Sequence, residues 1–246
     1  MKTPSAAVLV VGNEVLSAKV VDENGPYAAR VLRERGVRLE ALLTLPDRLE
    51  VLAEAVARER ARVDWLFTSG GMGPTHDDVT VLAVARALGC PVVRHPALVE
   101  RIRGWHRRHG SEASEVALRM ADVPASARLA GSPAHPVVVA ENVVMLPGPP
   151  QFFRTQLDSF IPSLDATPFQ LISVFVSIPE DRFAAALDRV ARDHPDVDMG
   201  SYPRFDAADH RVKVTFEGKD RARVEAAARA YLGALPEGAL VRSEGM

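Results

Sequence analysis

The chain has 246 residues, 47% of them hydrophobic and 25% charged, which excludes global disorder and allows one large domain or a main domain with a smaller companion. Lysine and arginine number 30 against 32 aspartate and glutamate, and this balance does not match a protein that holds nucleic acid broadly by neutralising phosphates. A single cysteine, Cys90, rules out an internal disulfide, no apolar run reaches the ~18 residues that span a bilayer, and Met1 to Val11 lacks a signal pattern. The expectation is a soluble, cytoplasmic chain with no membrane partner.

Ala6 to Val11 is a short continuous apolar run closed by Gly12, as in a strand buried on both faces. A helical period follows from Asn24 to Arg35, with Tyr27, Ala28, Val31 and Leu32 on one face and Gly36 as the stop. Val37 to Leu43 reads as a strand, Leu49 to Arg60 as an amphipathic helix, and Trp65 to Thr68 as a third strand that runs into Ser69-Gly70-Gly71-Met72-Gly73. A helix from about Asp78 to Leu88 comes next. This β-α alternation predicts an α/β three-layer α/β/α sandwich with a mainly parallel sheet.

The middle of the chain is less regular. Ala97 to His109 and Ser114 to Met120 read as helices, then prolines and glycines lead to two β-rich runs, Val137 to Val139 and Val143 to Leu146. Pro147-Gly148-Pro149-Pro150 ends the second run, and Phe152, Phe153 and Leu157 suit a closing helix. These elements make a first domain of residues 1–160, followed by a linker over 161–169. Residues 170–246 read strand, helix, strand, strand, helix and short terminal strand, a small α+β unit. Both parts carry balanced charge.

The most specific segment is Thr68 to Thr80. Glycines directly after a buried strand let a ligand approach the backbone N–H groups, and the following helix start favours an anion. Asp77 and Asp78 are candidate ligands for a divalent cation bridging two phosphoryl oxygens. His76, inside the same loop, is a candidate acid, base or phosphate donor. The alternative reading makes Asp78 a helix cap and the glycines a tight turn. Gly12-Asn13-Glu14 with Asp22, Glu23 and Asn24 should reach the same carboxyl edge of the sheet; taken singly, Asp22 or Asn24 reads first as a cap of the first helix. Pro147-Gly148-Pro149 is either a pocket wall or a plain turn. The basic stretch Arg101 to His109 reads first as a solvated helix face, with one arginine reaching a phosphate as an intermediate option.

Gly12-Asn13-Glu14-Val15-Leu16 with Asp22-Glu23-Asn24, then Ser69 to Thr80, and Leu146-Pro147-Gly148-Pro149 resemble three signatures of the molybdopterin-binding (MoaB/MogA-like) domain family. The form Gly-Pro-Thr-His-Asp-Asp, at 73–78, points to the competence/damage-inducible protein A (CinA) branch, which includes the domain preceding the synthase part of animal FAD synthases. The resemblance covers residues from about 5 to 160, and the segment Ser201 to Phe205 is similar to the small KH-like domain that follows in CinA proteins.

What the resemblance implies is chemistry at a phosphoanhydride. One branch adenylates molybdopterin; the other contains metal-dependent pyrophosphatases acting on ADP-ribose or FAD. On that basis Asp78 and Asp77 are the expected catalytic and metal-holding residues. The expected substrate-binding set is Gly12, Asn13, Glu14, Asp22, Asn24, Ser69, Gly70, Gly71, Met72, Gly73, Pro74, Thr75, His76, Pro147, Gly148 and Pro149. The expected cofactor is Mg, Mn or Co, with molybdopterin as a possible ligand, and the partner is a small nucleotide or pterin phosphate rather than nucleic acid. A homodimer or homotrimer is expected. The C-terminal amide-hydrolysing domain of many CinA proteins does not fit within 246 residues, so no deamidase activity is expected. The run Gly131 to Val139 departs from the usual CinA pattern and is closer to the FAD-synthase type.

Overall fold

A computed structural model describes residues 3–205 and 209–246, which divide into two compact units between Ala166 and Thr167. The first unit runs β1 (Ser5–Val11), a short helix α1 (Asn13–Leu16), α2 (Asn24–Arg35), β2 (Arg38–Leu45), α3 (Leu49–Arg60), β3 (Trp65–Ser69), α4 (Thr80–Ala87) and β4 (Val92–Arg94). It continues with α5 (Pro96–Arg108), α6 (Glu115–Leu118), β5 (Asp122–Pro124), β6 (Ala127–Ser132), β7 (His135–Ala140), β8 (Val143–Leu146) and α7 (Pro150–Phe160).

Six of these strands form one sheet in the order β2-β1-β3-β8-β7-β6. The pairs β1·β2, β1·β3 and β3·β8 are parallel, whereas β7 runs antiparallel to both β8 and β6. The mainly parallel sheet is thus as expected. Alternation along β1 builds the layers: Ala6, Val8 and Val10 pack with Ala28 and Leu32 of α2 and with Phe153, Leu157 and Phe160 of α7. Ala7, Leu9 and Val11 pack on the other face with Leu52 and Val56 of α3, Val84 of α4 and Leu98 of α5. Both faces of every central strand are dry, which is why β1 and β8 are continuous apolar runs without a polar phase.

Three local differences from the expectation have physical causes. The helix expected from Asp78 starts at Thr80, because the Asp78 side chain turns back into the preceding loop. Ala127–Ser132 pairs with His135–Ala140 as a hairpin, although Gly131 and Ser132 carry little strand propensity. The stretch expected to be a linker from Ile161 instead begins with a turn, Ile161–Ser163, whose Ile161 and the following Leu164 are buried in the first unit.

The second unit runs β9 (Gln170–Val176), α8 (Ala184–Asp193), β10 (Asp198–Pro203), β11 (Val212–Gly218), α9 (Arg221–Ala234) and β12 (Leu240–Glu244). Its antiparallel sheet has the order β10-β11-β9-β12, and α8 and α9 pack on one face around Ile172, Val174, Val214, Phe216 and Tyr231. The α+β class is as expected, but the β-α-β-β-α-β order is the ferredoxin-like one rather than a KH arrangement. The segment behind the KH reading, Ser201 to Phe205, is simply the end of β10 and its turn. Among the described residues no helix is long and apolar enough to cross a membrane.

Candidate functional site

The carboxyl ends of β1, β3 and β8 lie side by side, since Val10 pairs with Ser69 and Ser69 with Leu146. The three segments singled out in the sequence therefore leave the same sheet edge, where ligands of open α/β sheets collect. Their closest joint is Asn24, 6% exposed at the start of α2, whose Nδ2 donates to Ser69 Oγ at 2.8 Å and to the Gly148 carbonyl at 2.7 Å. Gly148 packs on Gly70, where an added Cβ would meet the Gly70 Cα at 3.4 Å. Pro147, Gly148 and Pro149 thus form one wall of the loop and lead into α7, with Pro150 in its first turn.

The glycine loop turns on positive φ at Gly70 (97°) and Gly71 (65°). A side chain at Gly70 would lie 2.4 Å from the Val11 carbonyl, and one at Gly71 would lie 2.3 Å from Thr80 Oγ1. Thr80 is fully buried; its N–H donates to the Gly71 carbonyl at 3.0 Å and its hydroxyl to the Gly70 carbonyl at 2.8 Å. Such bonds close the loop onto the first turn of α4. Among the described residues the Gly71 and Met72 N–H groups donate to no protein acceptor, and two successive free N–H groups at such a turn form an anion nest.

The two adjacent acids occupy different environments. Asp78 accepts from the Gly73 N–H at 2.7 Å, the Thr75 N–H at 2.8 Å and the Thr75 hydroxyl at 2.5 Å. Three of its roughly four lone-pair positions are used inside the loop. Asp77 is exposed, with His76 Nδ1 at 3.9 Å. The Thr75 hydroxyl first, then a backbone N–H and the proximity of His76, hold the Asp77 carboxyl below its usual range. Thr75 has one hydroxyl proton, and its 2.5 Å geometry assigns that proton to Asp78, so the backbone bond carries more of the effect on Asp77. Among the described residues no group of three or more His, Cys, Asp or Glu side chains is placed to hold a metal on its own. The donor set fits a hard cation held by one or two carboxylates, water and ligand phosphate, the usual habit of Mg²⁺.

Gly71, Met72, Gly73, Pro74, Thr75, His76 and Asp78 line a cavity of 280 Å³ closed by Val81 and Leu82 of α4 and by Arg119 and Asp122. Asp122 is engaged by Arg94 at 2.9 Å, whereas Arg119 has no ion-pair partner among the described residues. Arg119 is the cation that the sequence reading missed. It reaches the loop because β4 and β5 pair antiparallel, Val92 opposite Pro124, and no motif around Leu118-Arg119-Met120 announces that pairing.

Other expected site residues have structural partners. Asp22 Oδ1 accepts from the Asn24 and Gly25 N–H groups, both at 2.9 Å, so its carboxylate caps the start of α2. Glu14 folds back over Gly12, where a Cβ would lie 2.5 Å from its Oε1, and the Asn13 N–H donates to Asp47 Oδ2 at 2.7 Å. Asp47 was not foreseen. Arg101 to Arg108 belong to α5 and His109 caps its C-terminus, with only Leu98 of that helix buried.

Comparison with known proteins fits this geometry. Residues 7–166 match the family described as probable molybdopterin binding domain, and residues 168–244 match the one described as FAD synthase, middle domain. A protein of Archaeoglobus fulgidus is 29% identical over 91% of this chain and 95% of its own. A CinA-like protein of Shewanella loihica is 30% identical over 78% of this chain, which spans 42% of that longer protein. The crystal structure of CinA, of unknown function, from Thermoplasma acidophilum superposes with a TM-score of 0.57 at 27% identity, covering 63% of this chain and 95% of that one. With the three signatures converging on one sheet edge and the match covering residues 7–166, the chain belongs to the molybdopterin-binding (MoaB/MogA-like) domain family, as a CinA-like member.

Proposed function

We propose that the first unit binds a nucleotide or pterin phosphate at the glycine loop and hydrolyses a phosphoanhydride of the ADP-ribose or FAD class with a divalent cation. The observation that carries the reading is the pair of N–H groups at Gly71 and Met72, without acceptors among the described residues, lining a cavity that also receives Arg119, which has no ion-pair partner among them. Those three groups bind phosphoryl oxygens, the N–H pair from fixed backbone and Arg119 from across the cavity. Asp77, exposed and set between His76 and Asp78 of the cavity wall, is the residue to hold Mg²⁺, Mn²⁺ or Co²⁺, with the remaining Asp78 lone pair as a second ligand. Bound there, the cation would neutralise charge on the diphosphate and favour attack by water. Asp78 otherwise holds the loop in shape, and His76 stands at the open side as a proton donor for the leaving phosphate.

A second reading, binding or adenylation of a pterin without hydrolysis, is favoured by one feature: Asp78 has most of its acceptor capacity committed to Gly73 and Thr75. One experiment separates the two. The protein is incubated with ADP-ribose or FAD and each of the three cations, and products are separated chromatographically. AMP release that disappears in Asp77→Asn supports hydrolysis. Absence of product with every pair rejects it, and calorimetry on the same ligands then tests for binding alone.

A further inference from the structure

We infer that the second unit binds a single-stranded nucleic acid on the bare face of its sheet. Helices α8 and α9 cover one face, through Ile172, Val174, Val214 and Phe216, and strand alternation turns the intervening residues to the other. Register places Tyr202, Lys213, Phe175 and Arg242 in one row across β10, β11, β9 and β12. Arg204 and Arg211 form the next row, opposite each other: the Arg204 N–H donates to the Arg211 carbonyl at 2.8 Å, one step beyond the pair of Pro203 with Val212. Cations and aromatic rings thus share one end of the face, while the acids Asp198 and Glu217 stand at the other.

The fold leaves much of this charge without an anion. Arg242 is engaged by Asp209 and by Glu244, whereas Arg204, Arg211 and Lys213 have no ion-pair partner among the described residues. Like charges directly opposite on a sheet cost stability, so the Arg204 and Arg211 pair is suited to an anion supplied from outside. With Phe205 they line a cavity of 390 Å³ whose acid, Glu180, accepts from Ser201 Oγ at 2.5 Å. The near-neutral balance of the whole chain excludes a broad phosphate clamp and leaves room for a local one.

The rings give the face its second property. Tyr202 is 54% exposed and leans back over Gly200, where an added Cβ would lie 2.6 Å from its hydroxyl oxygen and 2.8 Å from Cε2. The bare glycine makes room for the ring against the sheet. The Arg242 guanidinium stands 3.8 Å over the centre of the Phe175 ring, with His210 edge-on at 4.9 Å, so that what Phe175 supports outward is a guanidinium plane. Aromatic faces and guanidinium planes are the surfaces on which unpaired bases stack, and a four-stranded sheet with one bare face is a recurring platform for them. From β10 to β12 the row runs ~14 Å, which suits successive phosphates of a strand better than one small anion. A duplex keeps its bases stacked on each other and offers this face none. No residue of the first unit takes part, so the inference stands apart from the phosphoanhydride reading.

The test uses the full chain and fluorescence anisotropy with oligouridylate and oligothymidylate of about ten nucleotides, a duplex of equal length, and tripolyphosphate as competitor. Either single strand should bind, with log affinity falling against log salt at a slope of about −2, as three neutralised phosphates require. The ratio of the two affinities tells whether a 2′-hydroxyl is read. Arg204→Ala with Arg211→Ala should weaken binding at least about tenfold and reduce the slope to about −0.7, while the corresponding double lysine variant keeps the slope. Tyr202→Ala should weaken it about fivefold or more and Tyr202→Phe should restore it, as stacking requires. Failure of both single strands to bind at low salt overturns the inference. So does duplex binding as tight as that of the single strands, or tripolyphosphate affinity equal to theirs, which would mark a small-anion site. Loss of binding in Arg119→Ala with none in the second-unit variants would place the strand at the glycine loop and overturn it as well.

Discussion

Asn24 Nδ2 donates to Ser69 Oγ at 2.8 Å across 45 positions of sequence, and the same amide nitrogen donates to the Gly148 carbonyl 124 positions away. One buried side chain thus ties the start of α2, the end of β3 and the turn after β8, the three segments that resemble family signatures. When the amide is removed, water does not replace it as donor to these two acceptors, because Asn24 is buried. Asn24→Ala should therefore cost about 2 kcal/mol in denaturant unfolding. Asn24→Asp should cost more, since a carboxylate oxygen would then face the Gly148 carbonyl without a proton between them. Equal unfolding free energies for the two variants and the parent would disprove the joint.

Asp77 and Asp78 are adjacent in sequence and should separate by experiment. Asp78→Ala removes the acceptor of three hydrogen bonds within the loop, so it should lower stability by about 2 kcal/mol and weaken pyrophosphate binding together. Asp77→Asn touches no such network and should leave the melting temperature within about a degree, while abolishing the dependence of activity on added cation. Calorimetry with and without Mg²⁺ on both variants checks the division of roles.

Gly70→Ala tests the turn. At φ 97° an L-residue is strained, and the new methyl would lie 2.4 Å from the Val11 carbonyl, which cannot move without breaking β1 from the sheet. The cost should be at least about 2 kcal/mol, with loss of phosphate binding. Gly89, also at positive φ but with open space around its Cβ direction, is the control: Gly89→Ala carries only the backbone strain and should cost less.

The second unit offers a pH test. Glu225 receives Arg221 Nε at 2.6 Å and Arg229 NH2 at 3.0 Å along α9. The hydrogen bond from Arg221 and then the charges of Arg221 and Arg229 hold its carboxyl below the usual range. A depressed folded-state value means the stabilisation is complete above the ordinary glutamate range near 4.3 and is lost as pH falls through the lower folded value. Glu225→Gln should therefore flatten the acid side of the melting-temperature curve and leave the neutral side slightly lower. An unchanged acid slope would show that the pairs add nothing.

How far the sequence carried the reading depends on where the information was local. Ala6 to Val11 and Val143 to Leu146 have no polar phase, so buried strands were legible, and the glycines from 70 to 73 marked the turn beside them. Convergence of Gly12, Ser69 and Gly148 followed from parallel order alone. Contributions that depend on distant pairing were not legible. Arg119 reaches the loop only through the pairing of β4 with β5. Nor does composition say that Asp78 is spent on the loop while Asp77 stays exposed, because both are acids beside the same threonine. In the second unit the strand and helix order is legible, whereas the sheet order β10-β11-β9-β12 depends on pairing between strands distant in the chain and is not.

The core of that unit supplies the last prediction. Tyr231 is fully buried between Phe183 and Phe216, with ring centroids at 5.8 and 5.4 Å, and its hydroxyl has no hydrogen-bond partner among the described residues. Burial alone pushes the phenol upward, the signature of a polar atom taken from water without compensation. The ring does the packing and the hydroxyl subtracts from it, so Tyr231→Phe should raise stability by about 1 kcal/mol, read as a higher denaturation midpoint at unchanged slope. Tyr231→Ala should lose about 3 to 5 kcal/mol through the cavity it leaves. A destabilised phenylalanine variant would mean that the hydroxyl holds a buried water, and the water's other partners would then be sought along β9 and β11.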